Sequence, residues 1–150
     1  MNNELMFSSK TNEWETPSDY FNTLNSEFNF TLDPCATSEN TKCEKYFTEA
    51  DDGLKQNWGG ETVFCNPPYG RQINKWVKKC YEESRKPKTK VVMLIPARTD
   101  TKYFHEYIYD ESTNSFKDGV TVKFLKGRLK FGVGKSPAPF PSMLVIFGSD

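Results

Sequence analysis

With 150 residues, 20 basic and 20 acidic side chains, the chain has no net charge to draw it wholesale to nucleic acid or a membrane, so any such partner must meet a local patch. A hydrophobic share of 36% and a mean hydropathy of -0.71 leave one modest core, and no run approaches the roughly 18 apolar residues of a membrane span. Four cysteines without a CxxC pair and a single histidine argue against a zinc site; free thiols in or near the core are expected, and no metal.

Residues 1–12 read as a loose tail without the charged-then-apolar layout of a signal peptide, which sets a cytoplasmic location as the expectation, with 13–150 as a single domain. Trp14-Glu15-Thr16-Pro17 leads into a helix with Thr16 or Ser18 as cap and Pro17 or Asp19 in its first turn. Phe21, Leu24 and Phe28 share one face of it. A short strand is expected at 28–32, ending at Asp33-Pro34, and residues 34–61 read as loops with a brief strand near Tyr46-Phe47. Thr62-Val63-Phe64-Cys65 is a compact strand that stops at the prolines. Ile73, Trp76, Val77 and Cys80 mark a helix over 72–84. The apolar run 91–95 predicts a central parallel strand covered on both faces. A helix over 101–109, with His105 as a partly buried packing residue, precedes strands at 120–125, 128–131 and 142–147. Alternating strands and helices followed by hairpin-like strands predict an α/β sheet with an antiparallel edge.

The chemistry concentrates in Asn66-Pro67-Pro68-Tyr69, which follows a strand and precedes a helix, where open α/β sheets bind ligands. Two prolines make a stiff loop that offers carbonyl oxygens and lacks two donors. Asn66 adds a side-chain carbonyl and Tyr69 a flat ring. An aromatic amine is a poor nucleophile because its lone pair is delocalised. Acceptance of its two N–H groups by Asn66 Oδ1 and the Pro67 carbonyl favours the pyramidal form reached in the transition state. Tyr69 is suited to stacking on the base, worth roughly 1–3 kcal/mol. A rigid turn without chemistry is the alternative. Residues 71–90 carry eight Lys or Arg against two Glu, a sector that is either a phosphate-facing patch or a solvated helix face.

Several blocks in one order extend the pattern over about residues 14–147: Trp14–Pro17, Leu32-Asp33-Pro34-Cys35-Ala36-Thr37, Asp52-Gly53-Leu54 with Trp58, Cys65–Tyr69, Leu94-Ile95-Pro96-Ala97-Arg98-Thr99-Asp100, Gly127-Arg128-Leu129 with Phe131, and Ala138-Pro139-Phe140-Pro141-Ser142. In these blocks the chain resembles the phage-type (Dam-like) DNA N-6-adenine-methyltransferases. The resemblance implies a three-layer, Rossmann-like S-adenosylmethionine-dependent methyltransferase sheet, mostly parallel with an antiparallel C-terminal edge. It implies transfer of a methyl group from S-adenosyl-L-methionine to adenine in double-stranded DNA, in a bacterial host cell and from a phage or prophage gene.

On the same resemblance Asn66, Pro67, Pro68 and Tyr69 are the catalytic loop. Asp33-Pro34-Cys35 is the cofactor loop, Thr16-Pro17 lies against the methionine end of the cofactor, and Asp51 or Asp52 faces its adenine or ribose. Arg98 and Arg128 are candidate DNA contacts, with Lys75, Lys78 and Lys79 on phosphate. The segment 132–141 reads as a loop, either mobile over the site or plain. Many methyltransferases place a glycine-rich turn after the first strand, whereas Ala36-Thr37-Ser38-Glu39-Asn40 contains no glycine. Two other readings stay open: a DNA-binding decoy that kept the fold without catalysis, and an Asn-Pro-Pro-Tyr methyltransferase acting on RNA or a protein glutamine.

Overall fold

The computed structural model describes residues 14–131 and 137–148; the expected tail at 1–12 and half of the expected loop at 132–141 lie outside the described residues. A four-stranded sheet has the order β1-β2-β6-β5, with β1 at Thr62–Cys65, β2 at Lys90–Pro96, β5 at Val120–Phe124 and β6 at Ser142–Phe147. Two short strands, β3 (Tyr109–Asp110) and β4 (Ser115–Phe116), form a separate hairpin.

The run Val91–Ile95 becomes the centre of the sheet because every residue in it is buried and apolar. It runs parallel to β1 and antiparallel to β6, and β6 runs antiparallel to β5. The sheet is therefore mixed, and the antiparallel part is more than the edge expected from the sequence. The parallel part continues outward as single bridges, Leu32 with Val63 and Asp33 with Tyr46.

Helix α1 (Ser18–Phe28) and helix α2 (Ile73–Ser84) lie on opposite faces of the sheet. Successive strand residues point to opposite sides. Phe64 meets Phe21 of α1 at 5.1 Å between ring centroids, while the neighbouring Cys65 thiol meets Cys80 of α2. α2 buries Ile73, Trp76, Val77 and Cys80, the amphipathic set expected of it. All four cysteines are free thiols, two of them buried. Among the described residues no helix is long and apolar enough to cross a membrane.

Four local expectations are corrected. Phe28 ends α1 rather than starting a strand: Asn29 takes the left-handed conformation at φ 58, and only Leu32 and Asp33 bridge. The cap of α1 is Pro17 without a side-chain cap bond, since Thr16 turns its hydroxyl to Asn66 instead. Residues 128–131 form no strand; the Ala138 N–H to Leu129 O bond at 2.9 Å and the Arg128 side chain on Ala138 O at 3.2 Å tie this stretch to the 137–142 segment, and Phe131 drops into an aromatic cluster. The helix expected over 101–109 runs over 102–108, its last five residues, Phe104–Ile108, forming a π-helical turn in which His105 is exposed and rests its ring nitrogen 2.8 Å from Thr99 O.

Candidate active site

Parallel pairing puts three carboxyl ends side by side: Leu32–Asp33, Cys65–Asn66 and Pro96–Arg98 leave the sheet along one edge. Ligands of open α/β sheets bind along that edge. After β1 the chain passes Asn66, buried Pro67 and exposed Pro68, and buries Tyr69 at 6% exposure. Gly70 at φ 125 then makes the turn into α2, a conformation that side chains with a Cβ rarely adopt.

Asn66 is held at both ends. Its Nδ2 donates to Trp14 O and to Thr16 Oγ1 at 2.9 Å, and its Oδ1 accepts from the Tyr69 hydroxyl at 2.8 Å. Tyr69 also reaches Leu94 O at 3.2 Å. Its ring is fixed among Trp14, Phe131 and Phe140, parallel to Trp14 at 6.5 Å and edge-on to the two phenylalanines. Burial pushes the Tyr69 phenol well above its ordinary range, so it remains a proton donor. The expectation of Tyr69 as an open stacking platform is thus narrowed: this ring is packed and its hydroxyl engaged.

Two cavities border this loop, and Trp14 lines both. The first, about 280 Å³, is formed by Thr16, Asp33, Cys35, Asn66, Pro67 and Pro68 with Glu15, Asn40, Lys42 and Phe64. It gathers four of the expected cofactor residues, Thr16, Asp33, Cys35 and Asn66. Asp33 is 6% exposed, and its carboxylate accepts from the Lys42 N–H at 3.0 Å and the Cys35 N–H at 3.4 Å. Burial raises its pKa, against the pull of those two N–H groups and the Lys42 charge. Burial likewise pushes the Cys35 thiol well up, so at neutral pH it stays protonated and a weak nucleophile. Pro34 lies under the 3-10 turn Gly53–Lys55, and Pro17 heads α1.

The donor set fits a cationic, partly apolar ligand. A nearly buried carboxylate faces a concavity walled by Trp14 and Phe64, which suits a sulfonium nucleoside better than an anion. The glycine-free turn 36–40 closes on itself, Thr37 and Asn40 exchanging side-chain and backbone bonds at 2.7 and 3.1 Å. Gly53, further along the chain, instead lets the 3-10 turn pack against the Pro34 carbonyl.

The second cavity, about 500 Å³, is lined by Trp14, Tyr69, Arg71, Arg98, Thr101 and Tyr103, with Phe140 at its side. Arg98 is therefore at the site, and Arg71 joins it unannounced by the sequence. Tyr103 carried no signal beyond its apolar character, whereas Phe140 belongs to the block Ala138–Ser142.

Other expected residues lie apart from both cavities. Asp51 accepts from the Thr48 N–H and hydroxyl within its own turn, and Asp52 pairs with Lys55 at 3.8 Å. Arg128 donates to Ala138 O at 3.2 Å. Lys78 pairs with Glu82 at 2.7 Å on the exposed face of α2, and Lys75 is exposed with no ion pair among the described residues. Lys79 is a correction: its ammonium is largely buried, 3.3 Å from Glu83 and over the Trp58 ring at 5.5 Å, so it holds α2 to the core instead of facing phosphate.

Comparison with known proteins follows the same blocks. A family model described as DNA N-6-adenine-methyltransferase (Dam) matches residues 5–149. A DNA N-6-adenine-methyltransferase of Escherichia phage T1 is 35% identical over 95 residues, covering 62% of this chain and 39% of the phage protein. The putative methyltransferase YfdM of Escherichia coli (strain K12) is 34% identical over 64 residues, covering 38% of this chain and 70% of that protein. The chain thus spans well under half the length of the phage T1 relative.

Proposed function

This chain belongs to the DNA N-6-adenine-methyltransferase (Dam) family, and from that premise we propose that it methylates the exocyclic amine of adenine in double-stranded DNA, with S-adenosylmethionine as donor, on a Rossmann-like methyltransferase sheet. One observation carries the reading: the amide of Asn66 is locked in a fixed direction at the wall of the first cavity, which suits a cationic nucleoside, and its partner Tyr69 lines a second cavity that suits a planar base.

Asp33, Cys35, Thr16 and the ring of Trp14 would hold the donor in the first cavity, with Pro17 and Pro34 fixing the backbone on either side. Bound there, S-adenosylmethionine supplies an electrophilic methyl on sulfur. Asn66 Oδ1 has a second lone pair beyond the one taken by Tyr69, and Pro67 O adds another acceptor. Together they take up the two N–H groups of the amine and stabilise the charge that grows on nitrogen as it loses its conjugation. No side chain must remove a proton before attack, because the amine becomes acidic once alkylated.

A target base inside a duplex has to leave the stack to reach Asn66. The second cavity, bounded by the rings of Trp14, Tyr69 and Tyr103, receives it, and Arg98 and Arg71 at the same cavity meet the displaced backbone. Lys75 and Lys78 add charge along α2.

The test uses purified protein, duplex DNA and donor carrying a tritiated methyl group, followed by digestion to nucleosides. Label is expected in N6-methyladenosine of the deoxy series. Label in cytosine or in protein overturns the reading.

A further inference from the structure

We propose that the Tyr69 hydroxyl is a positioning group that aims Asn66 Oδ1 at the incoming amine; this rests on the reading of Asn66 as the acceptor for that amine. A side-chain amide has two ends of nearly equal size, and only its partners decide which end faces where. Here the partners are one-sided. Trp14 O can only accept, so it demands the Nδ2 end, and Thr16 Oγ1 takes the other proton of that end at 2.9 Å. The Tyr69 hydroxyl donates at 2.8 Å to the oxygen end. A flipped amide would set its oxygen against the Trp14 carbonyl, acceptor to acceptor, which is costly.

The hydroxyl also has a second acceptor. Its single proton is shared between Asn66 Oδ1 and Leu94 O at 3.2 Å. When an amine N–H occupies Asn66 Oδ1, the tyrosine proton turns to the Leu94 carbonyl, and no donor is stranded. Tyr69 cannot swing away to do this, because Trp14, Phe131 and Phe140 enclose its ring. Its hydroxyl thus sits on a fixed post, and the orientation of Asn66 is built before substrate arrives.

Tyr69→Phe keeps the ring and removes only the hydroxyl. With saturating donor, its turnover is expected to fall roughly tenfold while KM for DNA and affinity for the donor stay at parental values. The side-chain NH2 resonances of Asn66, distinct and protected in the parent, are expected to broaden in Tyr69→Phe as the amide begins to rotate. If Tyr69→Phe melts below the assay temperature, the Asn66 resonances and single-turnover rates taken below its melting temperature decide the matter. Parental turnover and sharp Asn66 resonances in Tyr69→Phe overturn the proposal, as does a raised KM with unchanged turnover. An inactive Asn66→Ala beside a fully active Tyr69→Phe refutes this positioning role alone, whereas an active Asn66→Ala refutes the underlying reading.

Discussion

Gly53 lies against Pro34 so closely that a Cβ on it would stand 2.1 Å from the Pro34 carbonyl oxygen and 3.2 Å from the Trp76 ring. The 3-10 turn is thereby pressed onto the loop that carries Asp33 and Cys35, and the contact runs through backbone that has no room to give. Gly53→Ala is expected to lose about 1–3 kcal/mol of stability, the range for overpacking a filled interior, and to weaken donor binding along with it. Gly59→Ala is the control, because a Cβ there meets only side-chain atoms of Asn57 and Lys86. Thermal unfolding of the two variants checks this, and equal melting temperatures would contradict it.

Glu83 ties the loop before β1 to α2. Its carboxylate accepts from the Trp58 N–H at 2.6 Å and Lys86 at 2.8 Å, with Lys79 at 3.3 Å. Burial pushes its pKa up, but the bonds from Lys86, Trp58 and Lys79 outweigh burial and hold it below the usual 4.5. A depressed folded-state pKa means stability that is complete above the unfolded value and is lost as pH falls through the folded one. Acid titration of unfolding should therefore show a loss setting in below about 4.5 that Glu83→Gln lacks. Glu83→Ala, which strands Lys79, is expected to cost about 3 kcal/mol.

Asp33 has the opposite sign. Its pKa is raised by burial, so its charge is lost on acidification before that of an ordinary aspartate. Donor affinity is expected to fall as pH drops through that raised value. Calorimetric titrations of donor binding across the acid range measure it. Asp33→Asn should weaken binding about tenfold, the loss of one charge-assisted interaction, and flatten the pH dependence. An unaltered profile in that variant would remove Asp33 from the cofactor site.

Two lysines four residues apart on α2 should behave differently. Lys75→Ala is expected to weaken DNA binding and lower the salt slope by about one unit, with the melting temperature unchanged. Lys79→Ala is expected to leave the salt slope alone and lower the melting temperature, since Glu83 and Trp58 lose their cation. Binding isotherms at several salt concentrations, with melting curves of both variants, separate a DNA contact from a structural cation.

The parts of the fold legible in the sequence were those with a uniform local signal. Val91–Ile95 read as a central strand and Ile73–Ser84 as an amphipathic helix, and both stand. An antiparallel β6 follows from the hairpin-like strands expected at the C-terminal end, but its place between β2 and β5 was not legible, because an apolar run such as Ser142–Phe147 gives no sign of which strand it pairs with. Leu129 and Phe131 alternate like a strand, yet they serve an aromatic cluster assembled from Trp14, Tyr69 and Phe140, which no local window contains. At the site, residue types pointed to Asn66, and the family resemblance pointed to Asp33. The bonds that orient Asn66 come from Trp14 and Thr16, about fifty residues away, and are visible only once the chain is folded. Lys79 misled for a related reason: charge in a helical run gives no sign of which lysine turns inward to a buried glutamate.

The central proposal is that this protein methylates adenine in DNA with Asn66 Oδ1 accepting an N–H of the reacting amine. Sequencing that detects modified bases in DNA from otherwise methylation-free cells expressing this chain tests it most directly, with cells expressing Asn66→Ala alongside. N6-methyladenine at a defined sequence in the first culture, and its loss by orders of magnitude in the second at equal protein level, is the expected result. Methylated adenine undiminished in the Asn66→Ala culture, or modification confined to cytosine, would contradict it.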